Sequence, residues 1–112
     1  MDCAKTVLEA LIGARAILAA GWCQGTMFKR ADGTGCGWEF RAEAVSYCPR
    51  GALAITECST LVLSEAECAV LRAVGEDPEY RSISGWNDRT STTHQMVLDG
   101  FDAAIRSARD AN

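Results

Sequence analysis

Apolar residues recur at steps of three and four in four separate segments of this chain, and that spacing constrains its fold more than any other feature. In the first segment Val7, Leu8, Leu11, Ile12, Leu18 and Trp22 form one stripe, punctuated by Lys5, Glu9 and Arg15. This is the pattern of an amphipathic helix. Asp2 stands where an N-cap belongs, and Gly21 where a left-handed residue ends a helix. A second helix is predicted from about residue 41 towards residue 58, with Ala44, Val45, Cys48, Ala52 and Ile55 as its stripe. Pro49 kinks it or breaks it, in the latter case opening a new first turn. A third helix carries a capping box from Ser64 to Glu67, an inner face of Ala66, Ala69, Val70, Ala73 and Val74, and a stop at Gly75. The fourth starts near Thr92, whose spacing to Gln95 again fits a capping box, and buries Val97, Phe101, Ala104, Ile105 and Ala108.

The segments between these stripes are turn-rich or polar. Residues 29–38, "KRADGTGCGW", hold three glycines and an Asp-Gly pair, which reads as a loop or a short hairpin flanked by "TMF" and "WEF". Residues 76–92 form a long polar connection. The expected fold class is mainly α: one small four-helix domain over residues 1–112, with irregular loops and room for one short β-hairpin. Trp22, Trp38 and Tyr47 are expected to fill gaps between the helices.

At 112 residues the chain has room for a single domain, burying roughly two thirds of its unfolded surface without staples. An apolar fraction of 48% and a charged fraction of 23% exclude intrinsic disorder. Eleven basic residues are scattered among fifteen acidic ones, for a net charge of -4. That balance argues against a nucleic-acid partner, which needs a cationic face. The longest apolar run, residues 17–22, falls far short of the ~20 residues a membrane span requires. Asp2, Glu9 and Arg15 stand where a signal peptide would be basic or apolar. The expected location is therefore cytoplasmic, with reduced thiols. Six cysteines, at positions 3, 23, 36, 48, 58 and 68, form no C-x-x-C pair. They are expected to serve mostly as small hydrophobic residues.

Three stretches carry a resemblance: "GWCQG" after the first helix, "AVSYCPRGAL" in the second, and "SISGWNDRTSTTHQMV" leading into the last. Together they resemble a domain of unknown function found in bacteria and their phages. Its members show Trp-Cys-x-Gly, then Ala-Val-x-Trp-Cys-x-x-Gly-Ala, then Trp-Asn-Asp ahead of a Thr-His. The resemblance spans about residues 4–108. Tyr47 stands where the family usually has Trp, Pro49 falls inside the second motif, and the stretch from Asp88 to Thr93 is slightly longer than usual. The resemblance implies a helical fold and a bacterial or phage origin, in the bacterial cytoplasm or the host's, and supplies no mechanism.

Three sets of residues could carry chemistry. Cys23 in "GWCQG" matches Gly-x-Cys-x-Gly, a nucleophile-elbow pattern that would need His94, the only histidine, as base and Asp88 or Asn87 as its orienter. Against this, a helix rather than a strand precedes Cys23, and a helix N-terminus disfavours the imidazolium of a Cys-His ion pair. The plainer expectation is a thiol packed beneath Trp22. A tetrahedral metal site would have to gather Cys23, Cys36, Cys48 and His94, for which no short paired spacing exists, so no metal and no cofactor is expected. The third set, Trp86, Asn87, Asp88 and Arg89, offers an aromatic face, an amide, a carboxylate and a guanidinium that could stack on a ligand, with Trp22 nearby. Its structural alternative is that Trp86 plugs the core while its neighbours bond backbone. The leading functional expectation is a non-enzymatic binding module. It would hold a protein partner, a further copy of itself or a small ligand such as a nucleotide, in the manner of a phage counter-defence protein. The alternative is a cysteine-dependent hydrolase or transferase using Cys23 and His94.

Overall fold

The structure, a computed structural model, describes residues 4–111. Its elements run α1 (Val7–Ala20), β1 (Phe28–Arg30), β2 (Gly35–Cys36), a 3-10 helix (Trp38–Glu43), β3 (Ala44–Tyr47), α2 (Pro49–Ile55), α3 (Thr60–Ala73), α4 (Ile83–Asn87) and α5 (His94–Asp110). The mainly α class holds. The predicted four helices become five α-helices and one 3-10 helix among the described residues.

Helix α1 is the centre of the packing and touches α2, α3 and α5. Its Leu11 and Leu18 are fully buried, together with Leu53 of α2, Val70 of α3, Ile83 of α4, and Val97 and Phe101 of α5. Helix α5 fulfils its predicted stripe, with Val97, Phe101, Ala104 and Ile105 all buried. The helix starts are set by small polar caps. Thr6, Ser59, Ser82 and Thr93 each accept a hydrogen bond from a backbone N–H of the following first turn. Asp2, proposed as the first cap, lies outside the described residues. Ser64 is not a cap but sits inside α3, which starts earlier at Thr60. The cap of α5 is Thr93 rather than Thr92, whose hydroxyl instead donates to the carbonyl of Trp86 at 2.7 Å.

The second predicted helix is the largest correction. Its first residues end the 3-10 helix, the next four are strand β3, and only Pro49–Ile55 is α-helical. Pro49 occupies the first helical turn, where its missing N–H costs nothing. Cys48 is the cap, its sulfur accepting from the N–H of Gly51 at 3.3 Å. Strand β3 pairs antiparallel with β1, which pairs antiparallel with β2 in turn, so the anticipated hairpin gains a third strand in the order β2-β1-β3. The "WEF" flank is not a strand; Trp38 and its successors form the 3-10 turn between β2 and β3.

Gly21 does end α1, but by a different route from the one expected. Its backbone is extended, with φ at -175°. Glycine is required there because a Cβ would lie 2.1 Å from the carbonyl oxygen of Val45 in β3. The helix stops where the chain must press against the sheet. Gly75, by contrast, ends α3 with φ at +81°, a left-handed conformation favoured by a residue without a Cβ.

Candidate functional site

The motif residues converge on one point, where the end of α1 meets β3, α4 and the start of α5. Trp22 forms an isolated parallel bridge with Tyr47. Its indole Nε1–H donates to the side-chain oxygen of Asn87 at 2.7 Å. The Asn87 amide donates in turn to the carbonyl of Cys23 at 3.1 Å. Gln24 reaches across in the other direction, its amide donating to the carbonyls of Asn87 at 2.7 Å and Arg89 at 2.9 Å. Asp88 accepts from the N–H of Gly25 at 2.9 Å. These bonds span more than sixty positions of sequence, so they act as a clasp between residues 22–25 and 87–92.

His94 belongs to the same clasp. Its ring stacks on Trp22, with centroids 5.6 Å apart and planes 7° from parallel. Its Nε2 lies 2.7 Å from the carbonyl oxygen of Leu18. A carbonyl can only accept, so Nε2 carries the proton in this contact. Leu18 is within the last turn of α1, where carbonyls lack helical partners, and the imidazole satisfies one of them.

The loop expected at residues 86–89 is instead helical over Trp86 and Asn87, while Asp88 stays exposed and Arg89, with Trp86, lines a hollow of about 320 Å³. Trp86 is 3% exposed and Asn87 is fully buried, and both lie in helix α4 rather than in a loop. Asp88 is spent on Gly25, and Arg89 pairs with Glu76, which holds that carboxyl below its ordinary value. An amide buried without partners would cost about 1–3 kcal/mol, so the saturation of Asn87 marks a structural role.

Cys23 and His94 are engaged separately within the clasp. Cys23 is buried, and its sulfur lies 3.5 Å from the carbonyl of Thr26. Burial pushes its thiol above the ordinary value, outweighing Ser46 and Lys29, which act in the opposite sense. Thiolate is the reactive form, so this shift makes Cys23 less nucleophilic. His94 is committed to Leu18 rather than to the thiol. Burial likewise raises the Cys48 thiol. Among the described residues no group of three or more histidine, cysteine, aspartate or glutamate side chains is placed to hold a metal ion, so Cys23, Cys36, Cys48 and His94 do not form the tetrahedral set considered above. A groove of about 840 Å³ between α1, α3 and α5 lies away from the clasp, and alanines make up much of its wall.

The surface feature that sequence reasoning missed lies in the 3-10 helix and β3. Trp38 is 43% exposed, Phe40 49% and Val45 52%, which makes an aromatic and aliphatic ridge over the 3-10 helix and β3. Trp38 was expected to fill a gap between helices; instead its ring only leans on Phe28, with centroids 6.1 Å apart. Two guanidiniums cover the aromatic faces: Arg41 stands 4.0 Å from the Trp38 ring centre and Arg30 5.6 Å from that of Phe40. Arg30 also pairs with Glu43 at 2.8 Å, whereas Arg41 bonds only the carbonyl of Trp38 at 2.9 Å. The signal in the sequence is "WEFRAE", where large apolar and charged residues alternate. Alternation predicts one buried face in a strand. In a 3-10 turn the same residues spread around the axis, and this turn has no buried residue at all.

Among the curated proteins and solved structures compared, none matches this chain. A family model does, over residues 2–107, and so takes in the clasp, the ridge and all five α-helices up to the last turns of α5. By that match the chain belongs to the family of unknown function DUF6197.

Proposed function

We propose that the chain is a non-enzymatic binding module that engages a protein partner through the ridge of Trp38, Phe40 and Val45. The observation that carries this reading is the exposure of three large apolar side chains, 43–52%, within the short stretch from the 3-10 helix to β3. Trp, Phe and Arg are the residue types enriched at the energetic centres of protein interfaces. Cation–π contacts hold Arg30 and Arg41 flat on the rings, which lowers the entropy lost on docking. A protein partner fits this convex, mixed surface better than a nucleotide, which needs a concave pocket. Trp86 and Asn87, which a nucleotide would use, are buried side chains of α4. On this reading the protein acts in the cytoplasm of a bacterium or of a phage-infected cell, where its free thiols stay reduced. A counter-defence role by sequestering a host protein suits such a module.

The test is native mass spectrometry of gently purified protein, compared with its denatured mass, for the wild type and for Trp38→Ala. The expected result is a protein-sized added mass that Trp38→Ala loses while its circular dichroism stays unchanged. An added mass of metabolite size, or a protein complex indifferent to Trp38→Ala, would overturn the reading.

A further inference from the structure

Two buried thiols stand side by side where the clasp joins the sheet. Trp22 and Tyr47 form a parallel bridge. The N–H of Tyr47 donates to the carbonyl of Gly21 at 3.1 Å, and the N–H of Cys23 to the carbonyl of Tyr47 at 3.0 Å. The next residue on each side of that bridge is a cysteine, Cys23 on one and Cys48 on the other. The ladder stops there because Pro49 has no N–H to offer the carbonyl of Cys23, which accepts from the Asn87 amide instead.

Paired strands run ~4.8 Å apart, within the ~4.4–6.8 Å that separates the Cα atoms of a disulfide. Successive residues of extended chain alternate in direction, so with Trp22 and Tyr47 on one face, Cys23 and Cys48 share the other. Both are 5% exposed, and the Cys23 thiol adds to burial in raising that of Cys48. Cys36 adds to burial in raising the Cys23 thiol, but it belongs to β2, two strands from β3 in the order β2-β1-β3. Cys68 lies in α3.

From this juxtaposition we propose that Cys23 and Cys48 are a redox pair, which a peroxide converts into a disulfide that locks the clasp to the head of α2. One sulfur, as thiolate, attacks an oxygen of hydrogen peroxide; the O–O bond breaks, a sulfenic acid forms and water leaves. The other sulfur attacks the sulfenic sulfur, the S–S bond forms, and the hydroxyl departs as a second water with the remaining thiol proton. Two thiols lose two electrons in all, and one peroxide is reduced to two waters. Thiols raised by burial are poor nucleophiles at neutral pH, so the pair responds to sustained oxidation rather than to trace peroxide. Residues 24–47 lie between the two cysteines and carry all three strands and the 3-10 helix, so the bridge ties both ends of the segment that bears Trp38 and Phe40.

The experiment treats the reduced full chain with excess hydrogen peroxide, alkylates the free thiols in denaturant and maps the tryptic peptides by mass. The expected result is a peptide pair joined through Cys23 and Cys48 and released by dithiothreitol. It should be lost in Cys23→Ser and in Cys48→Ser and retained in Cys36→Ser. Protein unfolded in urea before oxidation should lose the preference for this pair. The bridged protein is expected to melt at least about 5 °C above the reduced one, since the closed loop restricts the unfolded chain. Cys23 joined to Cys36, or Cys23 and Cys48 both recovered free or separately oxidised, overturns the proposal. So does a bridge that lowers the melting temperature, because the native backbone would then not accommodate it.

Discussion

The clasp around Trp22 and Asn87 and the ridge around Trp38 and Phe40 are built from the same kinds of residue, and they do opposite things. Each has a tryptophan, a charged or amide neighbour and a ring contact within a few residues. In the clasp no buried side-chain nitrogen or oxygen lacks a partner, and Asn87 is fully buried. In the ridge Arg41 and Glu39 lack ionic partners and the rings stand in water. Satisfaction and burial, not residue type, separate a group that holds the fold from one available for recognition. The clasp also explains why "GWCQG" and "GWNDRTSTTH" belong together: one folds into the polar groups of the other.

The contrast can be broken most sharply at Trp86. Trp86→Ala should cost about 3–5 kcal/mol, seen as a large drop in the denaturant midpoint, because the indole is 3% exposed in the centre of the core. If that variant melts like the wild type, the region is not structural. Asn87→Ala should come next, at about 2–3 kcal/mol, since it strands the Trp22 indole N–H and the Cys23 carbonyl. Chemical denaturation with unchanged slope measures it. Trp38→Ala should cost only about 1 kcal/mol of stability while removing association, which inverts the ranking found in the clasp.

The smallest expected effect sharpens the comparison through pH. Glu67, with 13% of its side chain exposed, pairs with Arg50 at 2.9 Å, yet burial dominates and raises its carboxyl above the ordinary value of 4.5. The folded state therefore holds this proton more tightly than the unfolded chain does. Its contribution to stability is present below pH 4.5 and is lost as pH rises through the folded-state value. Glu67→Gln should slightly flatten the dependence of Tm on pH just above 4.5. An unaltered slope would show that the carboxyl is solvated after all.

Much of the helical framework was legible because amphipathic spacing reports burial on one face directly. The stripe of α5 and the stop at Gly75 follow from that periodicity and from backbone geometry alone. The reading failed between residues 41 and 48, where alanine, valine and cysteine suit a strand or a helix equally. There the pairing of Lys29 with Ser46 and Phe28 with Tyr47, which no local window contains, decided for the strand. It failed again at residues 86–89, since polarity suggested a loop while Ser82 caps a helix that carries Trp86 inward. The candidate site was half legible for the same reason. Trp22, Asn87, His94 and Cys23 stand in separate motifs of the sequence, and only the fold reveals that they contact one another.

By itself, the sequence determined a mainly helical fold with an acidic net charge and a helix stop at Gly75. Those properties rest on interactions within a few residues, which a chain displays as it is read. The tertiary structure alone decided that Gly21 must be glycine, because Val45 lies 2.1 Å from where its Cβ would stand. It alone decided that Trp86 faces the core and Trp38 the solvent. Burial is a property of what packs against a residue from elsewhere in the chain, and no local pattern carries that information.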